Sequence, residues 1–285
     1  MSEFRPRRSV LYMPGAKPRA LEKARGLPAD ALILDLEDAV PPAEKDAART
    51  LVMEAVAEGF GPREVVIRIN GLDTPWGAAD LAAAAEAAPD AILIPKVGSP
   101  VDLAPASEAA PGVPLWAMME TPTGILAAAD IAAHPALTAF VMGTNDLVKE
   151  LGAAHVPGRA PVATALSLCL LAARAHGIAA IDGVYNAFKD EEGLRAECEA
   201  GRAMGFDGKT LIHPAQLAIA NAVFGPSADD LDTAHRQLAA FAEAEARGEG
   251  VAVVDGRIVE NLHVETARRL IAEAEAIAAL EAASA

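Results

Sequence analysis

The chain has 285 residues, a formal net charge of −16, and 52% hydrophobic but only 4% aromatic residues. That length suits one α/β barrel with a small appendage, its core built of Ala, Leu, Ile and Val. The acidic balance excludes nucleic acid or an anionic membrane as a bulk partner, and no apolar run approaches the roughly 20 residues of a membrane span.

The first ten residues, MSEFRPRRSV, lack the apolar segment of a secretory leader. Cys169 and Cys198 both fall in expected helices, so a disulfide framework is not expected and a cytoplasmic setting is. Residues 1–25 carry seven basic side chains (Arg5, Arg7, Arg8, Lys17, Arg19, Lys23, Arg25) against two acidic ones. On so acidic a protein this cluster reads either as a site for a small polyanionic ligand or as a solvated face.

Along the chain, short apolar runs predict strands at 9–13, 31–36, 65–70, 91–97, 115–119, 139–142, 179–184 and 209–212. Between them, helical spacing predicts helices at 17–25, 42–57, 76–87, 101–109, 124–132, 160–176 and 191–204. Eight strands alternating with helices is the pattern of a (β/α)8 TIM barrel, and no GxGxxG follows the first strand to favour a doubly wound sheet. The barrel is expected over 1–224. Gly225-Pro226-Ser227 then breaks the chain, and 225–285 reads as a C-terminal lid or oligomerisation extension. It comprises a polar helix at 228–249, a hairpin turning on Asp255-Gly256, and a last helix with Ala267, Leu270, Ile271, Ala274, Ile277 and Ala278 on one stripe.

A barrel builds its active site from the carboxyl ends of its strands. Those ends here carry Asp35, Glu37 and Asp38; Arg68 and Asn70; Lys96; Glu120; Asn145 and Asp146; Asp182; and His213. Glu120 and Asp146 end successive apolar runs, PLWAMMETP and FVMGTNDL, and two such carboxylates suit one Mg2+, with Mn2+ as an alternative. Asp146 also reads as a helix N-cap. In DLEDAVPP, alternation puts Asp35 and Glu37 on one face, where one would hold metal-bound water while Asp38 caps the next turn. Arg68 reads either as a barrel-interior ion pair or as the stabiliser of a developing oxyanion. His213, before Pro214, reads as a hydrogen-bonded strand terminus rather than a base, and Cys169 lies on an apolar helix face unsuited to a nucleophile. No GxSxG, Walker loop, HExxH or CxxC is present.

RSVLYMPG, LILDLEDAV, VIRIN, ILIPKV, MMETPTG, MGTNDL, IDGVYNAFKDEEGL and GKTLIHPAQ follow one another in this order. Through them the chain resembles, over nearly its whole length, the citrate lyase β-subunit/malyl-CoA lyase family of CoA-ester enzymes. The resemblance implies Mg2+ on Glu120 and Asp146 and a thioester contact from Arg68. It also implies CoA held by Tyr12, Lys17 and Lys23, with Ile212 and His213 beside the nucleotide end and Asn145 by the substrate. Within the family the closest resemblance, through MGTNDLVKEL and VAVVDGRIVENLH, is to the branch that hydrolyses (3S)-malyl-CoA. Lyase members place an Asp from the C-terminal lid into a neighbouring subunit's site; this chain has Glu260 there. The resemblance therefore implies a thioesterase. Its alternatives are a lyase acting on malyl-CoA, β-methylmalyl-CoA or citramalyl-CoA, and a non-autonomous citrate lyase β-type subunit. It further implies a trimer or a dimer of trimers.

Overall fold

The computed structural model describes residues 4–284. Eight parallel strands form β1 (Ser9–Pro14), β2 (Ala31–Asp35), β3 (Glu64–Arg68), β4 (Ala91–Ile94), β5 (Leu115–Met119), β6 (Leu137–Met142), β7 (Ala179–Asp182) and β8 (Gly208–Leu211). Each pairs with the next, and β8 returns to β1 to close the barrel. The crossovers carry α1 (Pro18–Ala24), α2 (Lys45–Glu58), α3 (Gly77–Ala87), α4 (Ala104–Ala109), α5 (Pro122–Leu126) and α6 (Ala128–Ala132). The last two strand connections hold α7 (Thr144–Glu150), α8 (Ala163–His176) and α9 (Glu191–Met204), and α10 (Leu217–Phe224) follows β8. The expected barrel is present. Several strands stop a residue or more before the apolar run does; β4 ends at Ile94 because Pro95 has no N–H for the ladder. Helices α7 and α10 were not expected.

Strand side chains alternate between the barrel interior and the helix layer. The interior cluster contains Val10, Ile33, Val66, Leu93, Trp116, Met118, Val141 and Ile181. Two residues beyond Val10, Ile33, Val66, Met118, Val141 and Ile181 stand Tyr12, Asp35, Arg68, Glu120, Gly143 and Gly183. The alternation alone therefore gathers a phenol, two carboxylates and a guanidinium into one layer at the carboxyl-terminal mouth. The two glycines leave room between them. The opposite parity, with Leu11, Leu32, Leu34, Ile67, Ile92 and Phe140, faces the helices and forms the larger core.

At the amino-terminal floor, arginines before β1 pair with acids that open or precede the next strands: Arg5 with Asp90 at 2.9 Å, Arg7 with Glu64 at 2.6 Å, and Arg8 with Asp30 at 2.9 Å. Arg8 and Asp30 are both buried, so removing one partner would cost about 3–5 kcal/mol. Arg25 pairs with Glu58. Four of the seven cations in the N-terminal cluster thus serve the fold, and Lys17, Arg19 and Lys23 are left exposed along α1.

Beyond α10, Ser227 and Asp230 form a capping box that starts α11 (Ala228–Ala246). The hairpin β9 (Ala252–Val254) and β10 (Arg257–Val259) turns through Asp255 and Gly256, both at positive φ (50° and 74°) as a tight primed turn requires. Helix α12 (Asn261–Ser284) returns along α11. Phe241, Ala244, Ala252, Val259 and Val264 form a small core of their own, while Arg8 reaches Glu281 at 3.1 Å and ties the end of α12 to the barrel floor. On the predicted stripe Ala267 and Ile277 are buried and Leu270, Ile271 and Ala274 half-buried; Ala278 is exposed.

Candidate active site

A cleft of about 300 Å3 opens at the carboxyl ends of the strands, lined among others by Tyr12, Asp35, Arg68, Glu120, Asn145 and Asp146. Arg68 is its fixed cation. Its Nε and Nη2 donate to the two Asp35 oxygens at 2.7 Å each, and the ring of Tyr12 lies under the guanidinium at 4.9 Å. Asp35 also accepts from the backbone N–H of Glu37 and Ala39. Asp35, not Asp38, therefore caps the turn after β2, and both of its oxygens are engaged by Arg68. Asp38 is exposed and reaches Arg68 Nη1 at 3.3 Å. Burial works against charge on both partners. Even so, Asp35, Tyr12 and Glu37 hold Arg68 well above the ordinary arginine value, and Arg68 with the two N–H groups holds Asp35 below the ordinary carboxylate value. Two of the five guanidinium hydrogens go to Asp35, and Nη1 pairs with Asp38 at 3.3 Å and Glu37 Oε2 at 3.0 Å.

Glu120 is 1% exposed, and its Oε1 accepts from the backbone N–H of Lys96 at 2.8 Å. Asp146, in the first turn of α7, is half-buried; Gly143 takes the N-cap position, so Asp146 is not the cap. Burial first, then the charge of Glu37, push Glu120 up to about 7, against the pull of the Lys96 N–H and Arg68; Asp146 adds a smaller push. Glu37, 7% exposed, leaves its Oε2 buried without a hydrogen bond. Such crowding of acids fits a bound divalent cation. Among the described residues no group of three or more His, Cys, Asp and Glu side chains is placed to hold a metal. Two carboxylates are nonetheless what Mg2+ takes when waters and substrate complete its shell. The donor set fits.

Asn145 exchanges hydrogen bonds with Asn186 across the rim, and Ile212 lines the cleft, 41% exposed. His213 lies two residues past β8, where its side chain accepts from the Ala215 N–H, caps the short 3-10 turn at Pro214–Gln216 and stacks on Phe188. Lys17 lies at the start of α1 and Lys23 in its last turn, both exposed. Glu260 is exposed at the end of the hairpin, its N–H donating to His263 Nδ1. Asp182, though a strand end, points into the helix layer, where it pairs with buried Lys209 and half-buried Arg159.

Sequence reasoning missed a supporting layer. Buried Lys45 donates to the carbonyls of Leu36 and Glu37 and to Asn70 Oδ1, and Asn70 in turn donates to Asp80. Together they clamp the loop that carries Asp35 to Asp38. Lys45 opens a helix between Glu44 and Asp46, so in sequence it looks like any solvated helical cation.

The sequence pattern of the HpcH/HpaI aldolase/citrate lyase family matches residues 8–214. The chain is 64% identical over 278 residues to a (3S)-malyl-CoA thioesterase of Cereibacter sphaeroides, covering 97% of this chain and 98% of that one. It is 36% identical to the L-malyl-CoA/beta-methylmalyl-CoA lyase of the same species, covering 96% of each chain. Among solved structures, CitE of Mycobacterium tuberculosis in complex with magnesium, acetoacetate and coenzyme A superposes with a TM-score of 0.78 at 31% identity, over 94% of this chain and 97% of that one. A barrel with paired acids at its mouth, and likeness from end to end, place this chain in the HpcH/HpaI aldolase/citrate lyase family.

Proposed function

We propose that this chain is a Mg2+-dependent thioesterase that hydrolyses (3S)-malyl-CoA to L-malate and free CoA. The end-to-end 64% identity to a (3S)-malyl-CoA thioesterase carries the reading. Glu120 and Asp146 would hold the ion, with Mn2+ as a substitute, and the ion would supply an anchor for the malyl carboxylate and hydroxyl. Arg68, fixed by Asp35, would exchange the contacts of its Nη1 edge with Glu37 and Asp38 for the thioester carbonyl and meet the oxyanion that forms when water adds. Tyr12 shapes the cleft under Arg68, and Asn145 borders the acyl group. Glu37 and Asp38 hold water near the ion. Lys17 and Lys23 attract the CoA phosphates, and Ile212 and His213 border its nucleotide end.

Glu260 is assigned to a neighbouring copy's site, where it takes a proton from the attacking water. This assignment makes 225–285 a lid shared between subunits of a trimer or hexamer in the cytoplasm, with 1–224 as the catalytic barrel. Glu reaches about 1.5 Å further than Asp, and a shift of about 1 Å costs up to 10²-fold, so Glu260 favours water over the malyl hydroxyl. Glu260→Asp, assayed for both products, is expected to lose hydrolysis and gain glyoxylate; unchanged hydrolysis without glyoxylate overturns the assignment.

The test of the main reading is incubation with (3S)-malyl-CoA, with and without EDTA, following free CoA and glyoxylate. CoA release that EDTA abolishes is expected. Glyoxylate with acetyl-CoA would make the chain a lyase, as its 36% identity to one would then explain. No turnover of the free thioester would make it a carrier-dependent subunit.

A further inference from the structure

Lys96 occupies a place where a lysine is costly. Its φ is +52°, in the left-handed region, and it follows Pro95 at the end of β4. Glycine would take that conformation without strain. What the lysine adds is its side chain, and the side chain has a definite partner: Nζ donates to Glu37 Oε1 at 2.7 Å. The same residue's backbone N–H donates to Glu120 Oε1 at 2.8 Å. One strained residue thus grips two acids of the mouth, one through the main chain and one through the ammonium.

Glu37 is the acid that needs restraint. It is buried and linked to Glu120 through Lys96, yet one oxygen lacks a hydrogen bond, and Arg68 Nη1 stands 3.0 Å from that Oε2. Swung toward Glu120 and Asp146, a third carboxylate would fill a coordination position of a hard cation.

We propose that Lys96 is a positioning residue that holds Glu37 out of the coordination shell of Glu120 and Asp146, leaving positions open for the hydroxyacyl group. The inference rests on the metal-site reading above. Lys96 stands half-exposed at the rim, so it keeps this grip on Glu37 without entering the cleft.

The test separates the main chain from the side chain. Lys96→Met removes the charge and keeps the backbone strain; Lys96→Gly removes both and folds without strain; Lys96→Arg keeps the charge. The Mg2+ dissociation constant is measured by calorimetry without substrate, and KM and kcat for (3S)-malyl-CoA are measured separately. With Glu37 released, both the Met and Gly variants are expected to bind Mg2+ roughly fivefold or more tightly, while KM rises roughly tenfold and kcat changes less. Lys96→Arg should return Mg2+ affinity to that of the parent, and so should adding Glu37→Gln to Lys96→Met. A merely structural role would weaken Mg2+ binding instead. If the parent binds Mg2+ and neither variant binds it more tightly, the inference is overturned and the metal site stands. If the parent binds no Mg2+, the metal-site reading falls and takes the inference with it.

Discussion

Gly143 offers a way to move Glu120 without touching its charge. A Cβ at this position would stand 2.4 Å from Glu120 Cβ, 2.6 Å from its Oε2 and 3.0 Å from Met118 Cε. Carbon atoms rest at about 3.5 Å or more, so the Glu120 stem has to retreat by about 1 Å. The backbone at 143 has φ −92°, which alanine accepts, so the whole effect of Gly143→Ala passes through space to the carboxylate. A displacement of about 1 Å in a positioned group costs about 10²-fold in kcat/KM. The fold should lose about 1–3 kcal/mol from overpacking, or roughly 2–12 °C in Tm for a barrel of this size. The assay is CoA release from (3S)-malyl-CoA over a Mg2+ titration, with melting followed in parallel. The variant should stay folded, need more Mg2+ and lose about 10²-fold. Gly250→Ala, whose Cβ meets nothing within 4 Å, serves as the neutral control. A folded Gly143→Ala enzyme with parental kcat/KM and parental Mg2+ demand would refute the placement of Glu120 as a ligand.

Arg68→Lys keeps a positive charge but cannot span both Asp35 oxygens, and kcat/KM should fall by about 10²–10³-fold; a loss below threefold would remove Arg68 from the oxyanion role. Because Asp35 binds its proton less tightly folded than unfolded, it stabilises the fold above the ordinary carboxylate value of about 4, and that support is lost as pH falls through its lower folded value. Tm should therefore drop below about pH 4, and less steeply in Asp35→Asn; equal slopes would contradict this. Burial pushes the thiols of Cys169 and Cys198 up to about 12 and about 11. The folded chain should thus react slowly with a thiol reagent at pH 8, which leaves the CoA signal clean; prompt labelling of two thiols would show that the layers under α8 and α9 open readily.

The eight strands were legible because strands buried on both faces read as unbroken apolar runs. The same property hid which side each residue takes. Asp35 and Asp182 both end strands, yet Asp35 shares its parity with Ile33 in the barrel interior, while Asp182 follows inward-facing Ile181 and so points at the helices. With both faces apolar, nothing in the runs marks the inward parity. Helix α10, LAIANAVF, is too short and too apolar for its period to separate helix from strand, and α7 begins so soon after β6 that its residues read as the strand's end. That Arg5, Arg7, Arg8 and Arg25 serve the fold was hidden because their acidic partners at Asp90, Glu64, Asp30 and Glu58 are separated from them along the chain. The left-handed turn at Lys96 left no mark at all in a lysine codon's worth of sequence.

The antiparallel pair α11 and α12, pinned to the barrel floor where Arg8 meets Glu281 and bearing its hairpin at the other end, works as a ruler. Nineteen residues of α11 span about 28 Å, and that length, rather than any flexible tether, decides how far Glu260 extends. Removing one turn from each helix would shorten the span by about 5 Å, more than a glutamate can make up by changing rotamer. For the Glu260 proposed here, the gauge between copies would then be cut into helix length, and catalysis would drift with it even though no residue at the mouth had changed.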